Sequence, residues 1–147
     1  MKEIIDVSEL LEFAESLTEN SKQLKNMEKK MLREQGTKLR RKTAQRARAT
    51  VRKAAVNRKK YQRVAGQYHK SIKRGKIYEE NGLVKIRVYS NDPIAHLIED
   101  GWTPVLRNKK KGQKQTGKKV FEKSMEAFAP EFETAAADLV SEVIDDI

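Results

Sequence analysis

His96 and Glu99 stand three residues apart in PIAHLIEDGWTPV, residues 93–105, close to Trp102, the only tryptophan of the chain. On a helix, positions i and i+3 share a side, so an imidazole and a carboxylate at that spacing could hold a metal ion or pass a proton. Neither chemistry is complete. The only other histidine is His69, and no second carboxylate lies at ligand spacing near it. The architectural alternatives are simpler. His96 would be a partly buried ring bonded to backbone or to a neighbouring carboxylate, and Glu99 would cap backbone groups of the sheet or pair with an arginine such as Arg87.

Other catalytic frames are missing too. There is no complete Gly-x-x-x-x-Gly-Lys-Ser/Thr phosphate loop, no Gly-x-Ser-x-Gly elbow, and no Ser, His and acid in a recognisable arrangement. GKKVFEKS, residues 117–124, opens with a glycine and two lysines, a superficial likeness to a nucleotide-binding loop. The chain has no cysteine, which removes disulfides, thiolate metal sites and thiol catalysis and suits a reducing compartment. A non-enzymatic protein without metal or cofactor is expected.

The elements that must position these residues form an α+β chain with long helices on a small antiparallel sheet. Within DVSELLEFAESL, Asp6 or Ser8 can cap a first helix in which Leu10, Phe13, Ala14 and Leu17 recur at helical spacing. From Thr18 to about Asn57 no proline intervenes. Leu24, Met27, Met31, Leu39, Ala47, Val51, Ala54 and Ala55 form a thin apolar stripe there, on one long helix or on two that meet near Gly36. A loop then leads into a short strand at Tyr68 to Lys73. Asn81-Gly82 is a favoured hairpin turn, and Val84, Ile86 and Val88 alternate with Lys85, Arg87 and Tyr89 as a half-buried strand requires. Asn91-Asp92-Pro93 can open a short helix over IAHLIED that ends at Gly101, where Trp102 and Pro104 would anchor the next segment.

That segment, Arg107 to Lys119, has seven bases, two glycines and no apolar residue, the composition of a mobile loop. Phe121, Met125, Phe128, Phe132, Ala136, Leu139, Val143 and Ile147 then mark a C-terminal helix, kinked or restarted at Pro130. One domain of residues 1–147 is expected: a helical arm over 1–57, sheet and short helix over 60–106, the basic loop over 107–119, and the C-terminal helical segment over 120–147.

Charge is divided by region. Residues 1–20 hold six acids and one base, residues 22–76 twenty-one bases and two acids, and residues 121–147 eight acids and one base, for a net +11. Such a pattern can serve an anionic partner through the middle, or let one copy's acidic end meet the basic stretch of a neighbour. The basic helix read from Lys22 to Arg63 could lie non-specifically along nucleic acid, with Tyr61 and Tyr68 stacking on bases. No helix-turn-helix, zinc finger or zipper surrounds it, so sequence-specific reading is not indicated. No stretch approaches membrane-spanning length and the acidic, amphipathic N-terminus is unlike a secretory signal, so a soluble protein without membrane contact is expected.

AGQYHKSIKRGKIY followed by VKIRVYSNDPIAHLIEDGWTP resembles the core signature of the phage tail-completion and head-tail joining family. That pattern joins a Thr-Gly pair, a spacer and Ser-Ile, a hairpin strand, and Ala-His-Leu-hydrophobic-Glu-x-Gly. Here these fall on Ala65-Gly66, Ser71-Ile72, Val84 to Tyr89 and Ala95 to Gly101, with Trp102 just after. Ala65 replaces the usual threonine, and the first long helix is more basic than the pattern. The resemblance spans about residues 60–130 and implies Gly66, Ser71, Ile72, His96, Glu99, Gly101 and Trp102 as structural signature residues. It also implies a structural virion subunit of a hexameric ring at the neck or tail top, between connector or portal-side proteins and tail terminator or tail-tube proteins, assembled in the host cytoplasm. Arg107, Lys109, Lys110, Lys111, Lys114, Lys118 and Lys119 would form an interaction loop, ordering against a neighbour or beside DNA in the channel.

Overall fold

The computed structural model describes residues 2–6 and 21–145. The expected helix at Leu10 to Leu17 lies outside them, as does Ile147. Strand β1, Lys2–Asp6, precedes that gap and was not legible in the residue pattern. Next comes α1, Ser21–Thr50, one continuous helix through Gly36. A Cβ at Gly36 would lie 2.9 Å from Ile86 Cδ1, so glycine lets the helix backbone approach the sheet at that crossing.

The helix stops at Thr50 and does not reach Asn57 or Arg63. Val51 N–H still reaches the Ala47 carbonyl at 2.8 Å, and His69 Nε2 meets the carbonyls of Ala47 and Val51 at 3.1 and 2.8 Å. Two carbonyls can only accept, so Nε2 carries the proton and caps the helix C-terminus. Beyond it the chain folds into a two-stranded ribbon, β2 (Val56–Arg58) and β3 (Tyr61–Arg63). Tyr68 to Lys73 is not a single strand: Gln67–Lys70 forms a one-turn helix, α2, and only Ile72–Arg74 is strand, β4. Tyr68, His69, Ser71 and Ile72 are all buried, and adjacent buried side chains need a helical turn, since a strand sends neighbours to opposite faces.

Strand β5, Tyr78–Glu80, turns through Asn81 (φ 53°) and Gly82 (φ 78°) into β6, Leu83–Ser90, the expected hairpin with both turn residues left-handed. Central strand β6 pairs antiparallel with β1 along one edge and with β5 and then β4 along the other. Its Val84, Ile86 and Val88 are buried. After Asn91-Asp92-Pro93 comes the short helix α3, Ala95–Asp100, which ends at Gly101 as expected. Two-residue strands β7 (Gly101–Trp102) and β8 (Gln115–Thr116) pair across the base of the basic segment.

The last element, α4 (Val120–Asp145), is one helix through Pro130. Phe121 and Phe128 are fully buried and Ala136, Leu139 and Val143 nearly so, while Met125 and Phe132 pack at the rim. The core lies where α1 covers the apolar face of β6 and Ile72 of β4 and packs in turn against α4. Leu32, absent from the expected α1 stripe, is fully buried beside Leu24 and Leu39. Burying each of these large side chains stabilises the fold by about 1.5–3 kcal/mol, which a thin stripe on a lone basic helix could not supply.

Candidate functional site

Five short segments meet at one corner: α2, the end of β6, α3, the β7–β8 pair and the first turn of α4. A chain of polar groups runs through it. Ser71 Oγ donates to the Tyr68 carbonyl and lies 2.5 Å from Ser90 Oγ; Ser90 Oγ accepts from Asp92 N–H at 3.1 Å. Asp92 Oδ1 accepts from Ile94 N–H at 3.1 Å, so the loop preceding α3 is held by an Asx turn.

Asp92 also receives both terminal nitrogens of Arg63, Nη1 to Oδ1 at 2.9 Å and Nη2 to Oδ2 at 2.5 Å. The carboxylate is fully buried and the arginine side chain 11% exposed. The hydrogen bonds from Arg63 hold the Asp92 carboxyl below the usual aspartate range, against the opposing effect of burial. This bidentate pair ties the β2–β3 ribbon to the entrance of α3. Neither partner figured as a pair in the residue pattern, where Arg63 read as the end of a helix and Asp92 only as a cap.

Glu99 makes the second clamp. It is 2% exposed, with Oε1 accepting from Phe121 N–H at 2.8 Å and Oε2 from Glu122 N–H at 3.2 Å. These are orphan donors of the first turn of α4, where the positive end of the helix dipole favours an anion. The expectation that Glu99 caps backbone holds, but the backbone is that of a helix rather than of the sheet. It does not pair with Arg87, whose guanidinium sits 4.3 Å from the ring centre of Tyr78. The backbone reinforces the joint: Lys118 and Lys119 donate to the carbonyls of Ile98 and Glu99 at 2.7 and 3.2 Å.

Glycine allows the crossing. Gly101 has φ 87°, and a Cβ there would lie 2.3 Å from the Gln115 carbonyl oxygen; at Gly117 it would lie 2.1 Å from that of Glu99. Gly66 likewise has φ 77° as the chain enters α2. Ile72 is fully buried at the start of β4.

His96 corrects the opening expectation. It is exposed while Glu99 is buried and bonded to the first turn of α4, and the histidine bonded to backbone is His69. Tyr68 is 3% exposed and cannot stack on a base; burial pushes its hydroxyl well above the ordinary tyrosine range, with the charges of Glu99 and Asp92 adding to the shift. Trp102 is 47% exposed, so its backbone, through β7, belongs to the joint while its ring lies outside. Among the described residues no group of three His, Cys, Asp or Glu side chains could hold a metal ion, and no helix is long and apolar enough to cross a membrane.

The basic segment rises from this corner. Val105 bridges Lys111, Gly112 N–H donates to the Pro104 carbonyl at 2.8 Å, and Leu106 N–H to that of Lys110 at 2.9 Å. Arg107, Lys109, Lys110, Lys111, Lys114 and Lys118 are exposed, with no ion pair to any described residue. Lys119 differs, lying 3.0 Å from Asp100 Oδ1 and 3.8 Å from Glu122 Oε2 at the base. Val105 and Leu106, 73% and 50% exposed, sit beside the bases.

Comparison with curated proteins and with solved structures found no match. A family does match, over residues 10–101, a span that includes Ser71, Asp92 and Glu99 and ends where the β7–β8 crossing begins. That family is described as "Bacteriophage HK97-gp10, putative tail-component", and with more than half of its length matched the chain belongs to this family of phage tail components.

Proposed function

We propose that the protein is a non-enzymatic subunit of a ring, hexameric in the form the signature implies, at the neck or tail top of a phage particle. There it completes the tail and joins it to the capsid. Connector or portal-side neck proteins lie on one side and tail terminator or tail-tube proteins on the other. Assembly takes place in the host cytoplasm and the finished protein resides in the virion. The observation that carries this reading is the family match across residues 10–101, which contains both buried carboxylates. A scaffold that fixes helix ends with buried charge suits a subunit that must present rigid faces to neighbours.

The basic excursion at 107–119 is then the segment facing DNA in the channel or an adjoining subunit. Six of its cations are exposed without an ion pair among the described residues, which suits either anionic surface. Cryo-microscopy of the particle tests the assignment. The expected result is a symmetric ring of this chain between head and tail; finding the chain along the tail shaft, at the tip, or absent from the particle would overturn it.

A second reading, a non-specific nucleic-acid-binding protein, is favoured by the exposed bases of α1, among them Lys30, Arg33, Lys38, Arg41 and Arg48. It requires the free chain to bind duplex DNA with a steep dependence on salt.

A further inference from the structure

Between Glu122, which Lys119 engages, and Asp145 at its end, the acids of α4 divide into two sets. Glu131 pairs with Lys42 of α1, and Asp138 and Glu142 line the groove against Met27, Lys30 and Met31 of α1. This set faces the basic helix of its own chain. Glu126 and Glu133 belong to the other set, exposed and without an ion pair among the described residues. Seven residues apart on a helix, they lie about 10.5 Å from each other along the axis and about 20° apart around it. Ala137 and Ile144 continue that stripe as exposed small or apolar residues, Ile144 being 44% exposed.

On α1, Arg41 and Arg48 are exposed with the same seven-residue spacing. Arg41 also borders a shallow depression shared with Arg33, Lys38 and Arg74, in which Glu34 is the single acid. Arg74 is held there from β4, its guanidinium 3.3 Å from the Arg33 carbonyl oxygen and 3.4 Å from Thr37 Oγ1. One chain thus carries an acidic stripe on α4 and a basic stripe of equal pitch on α1, and of the acids next to α1 Glu131 is already paired with it.

We propose that the Glu126–Glu133 stripe of α4 docks on the Arg41–Arg48 face of α1 in a second copy of this chain. The contact joins two different patches, so it repeats head to tail and closes into a ring when the rotation allows. It rests on the ring reading and supplies the interface for it. Nucleic acid would account for the basic depression alone. A second copy accounts for the depression, the unpaired acids and exposed Ile144 together, with opposite charge fixing the register.

The test uses charge reversal in the full chain, read by sedimentation velocity at low and moderate salt, with circular dichroism as the check on folding. R41E/R48E and E126R/E133R should each weaken self-association by on the order of a hundredfold, since reversal places like charges face to face. An equimolar mixture of the two variants should associate again, because each then offers the patch the other needs; the quadruple variant should associate as well. Self-association that ignores both reversals would overturn this interface and leave the ring reading to the particle structure. A wild-type chain that stays monomeric at every concentration overturns it too. Loss of duplex-DNA binding by R41E/R48E with self-association unchanged would assign the face to nucleic acid instead.

Discussion

The corner around Asp92 and Glu99 and the excursion over residues 105–118 are close neighbours in the chain, both dense in charge, yet they use it in opposite ways. In the corner each carboxylate is buried and each oxygen has a donor: Arg63 and Ile94 for Asp92, the first turn of α4 for Glu99. In the excursion six cations are exposed without an ion pair among the described residues. Buried charge must be matched locally, and the matching fixes geometry. Exposed charge costs little to leave alone and remains available to another molecule.

Removing one buried partner should break the contrast most severely. Asp92→Ala leaves the Arg63 guanidinium largely buried without its anion and frees the turn before α3, a loss of about 3–5 kcal/mol in urea unfolding. The same pair sets a pH dependence. The Asp92 carboxyl titrates below its ordinary value in the folded chain, so its stabilisation is complete above the unfolded pKa of about 3.9 and is lost as pH falls through the lowered native value. Asp92→Asn should flatten the stability profile in that acidic window, and a profile identical to wild type there would show that the pair does not stabilise the fold.

Glu99→Ala comes next, at about 2–3 kcal/mol, because two helix N–H groups lose a charged acceptor in a dry site. Glu99→Gln keeps one acceptor oxygen and should recover part of the loss. Amide hydrogen exchange should accelerate at Phe121 and Glu122 before the rest of α4. Uniform acceleration along the helix would mean that Glu99 acts only through global stability. His69→Ala, which strips the donor from the C-terminus of α1, should cost about 1.5 kcal/mol with fraying confined to the last turn of that helix.

How much of this corner is legible in the residues depends on how local each signal is. Val84, Ile86 and Val88 declare their strand because alternation is a property of neighbours, and Asn81-Gly82 declares its turn because both residues tolerate positive φ. Glu99 is legible as a cap in kind, but its recipient lies 22 positions away across the basic excursion. Arg63 and Asp92 are 29 apart, and Arg63 sits in a run of bases that periodicity cannot distinguish from a helix face. The histidines were exchanged for the same reason. His96 has the suggestive i,i+3 neighbour, while His69 matters through the carbonyls of Ala47 and Val51 at the end of a helix that stops 19 residues earlier in sequence, at Thr50. Spacing reports which side chains could meet; only the folded path reports which of them are turned inward.

The smallest effect on stability should come from the excursion, and that smallness is its point. Reversing three of its unpaired cations, Lys109→Glu, Lys110→Glu and Lys111→Glu together, removes no ion pair to any described residue and should change unfolding free energy by less than about 0.5 kcal/mol. Retention on an anionic resin such as heparin should fall sharply, and incorporation of the variant into particles should fall with it where an anionic surface receives the segment. Lys119→Glu supplies the internal contrast, since Lys119 is already engaged by Asp100 and Glu122. It should disturb the start of α4 more than it alters anion binding. If all four positions behaved alike in both measurements, the boundary between corner and excursion would not lie between Lys118 and Lys119.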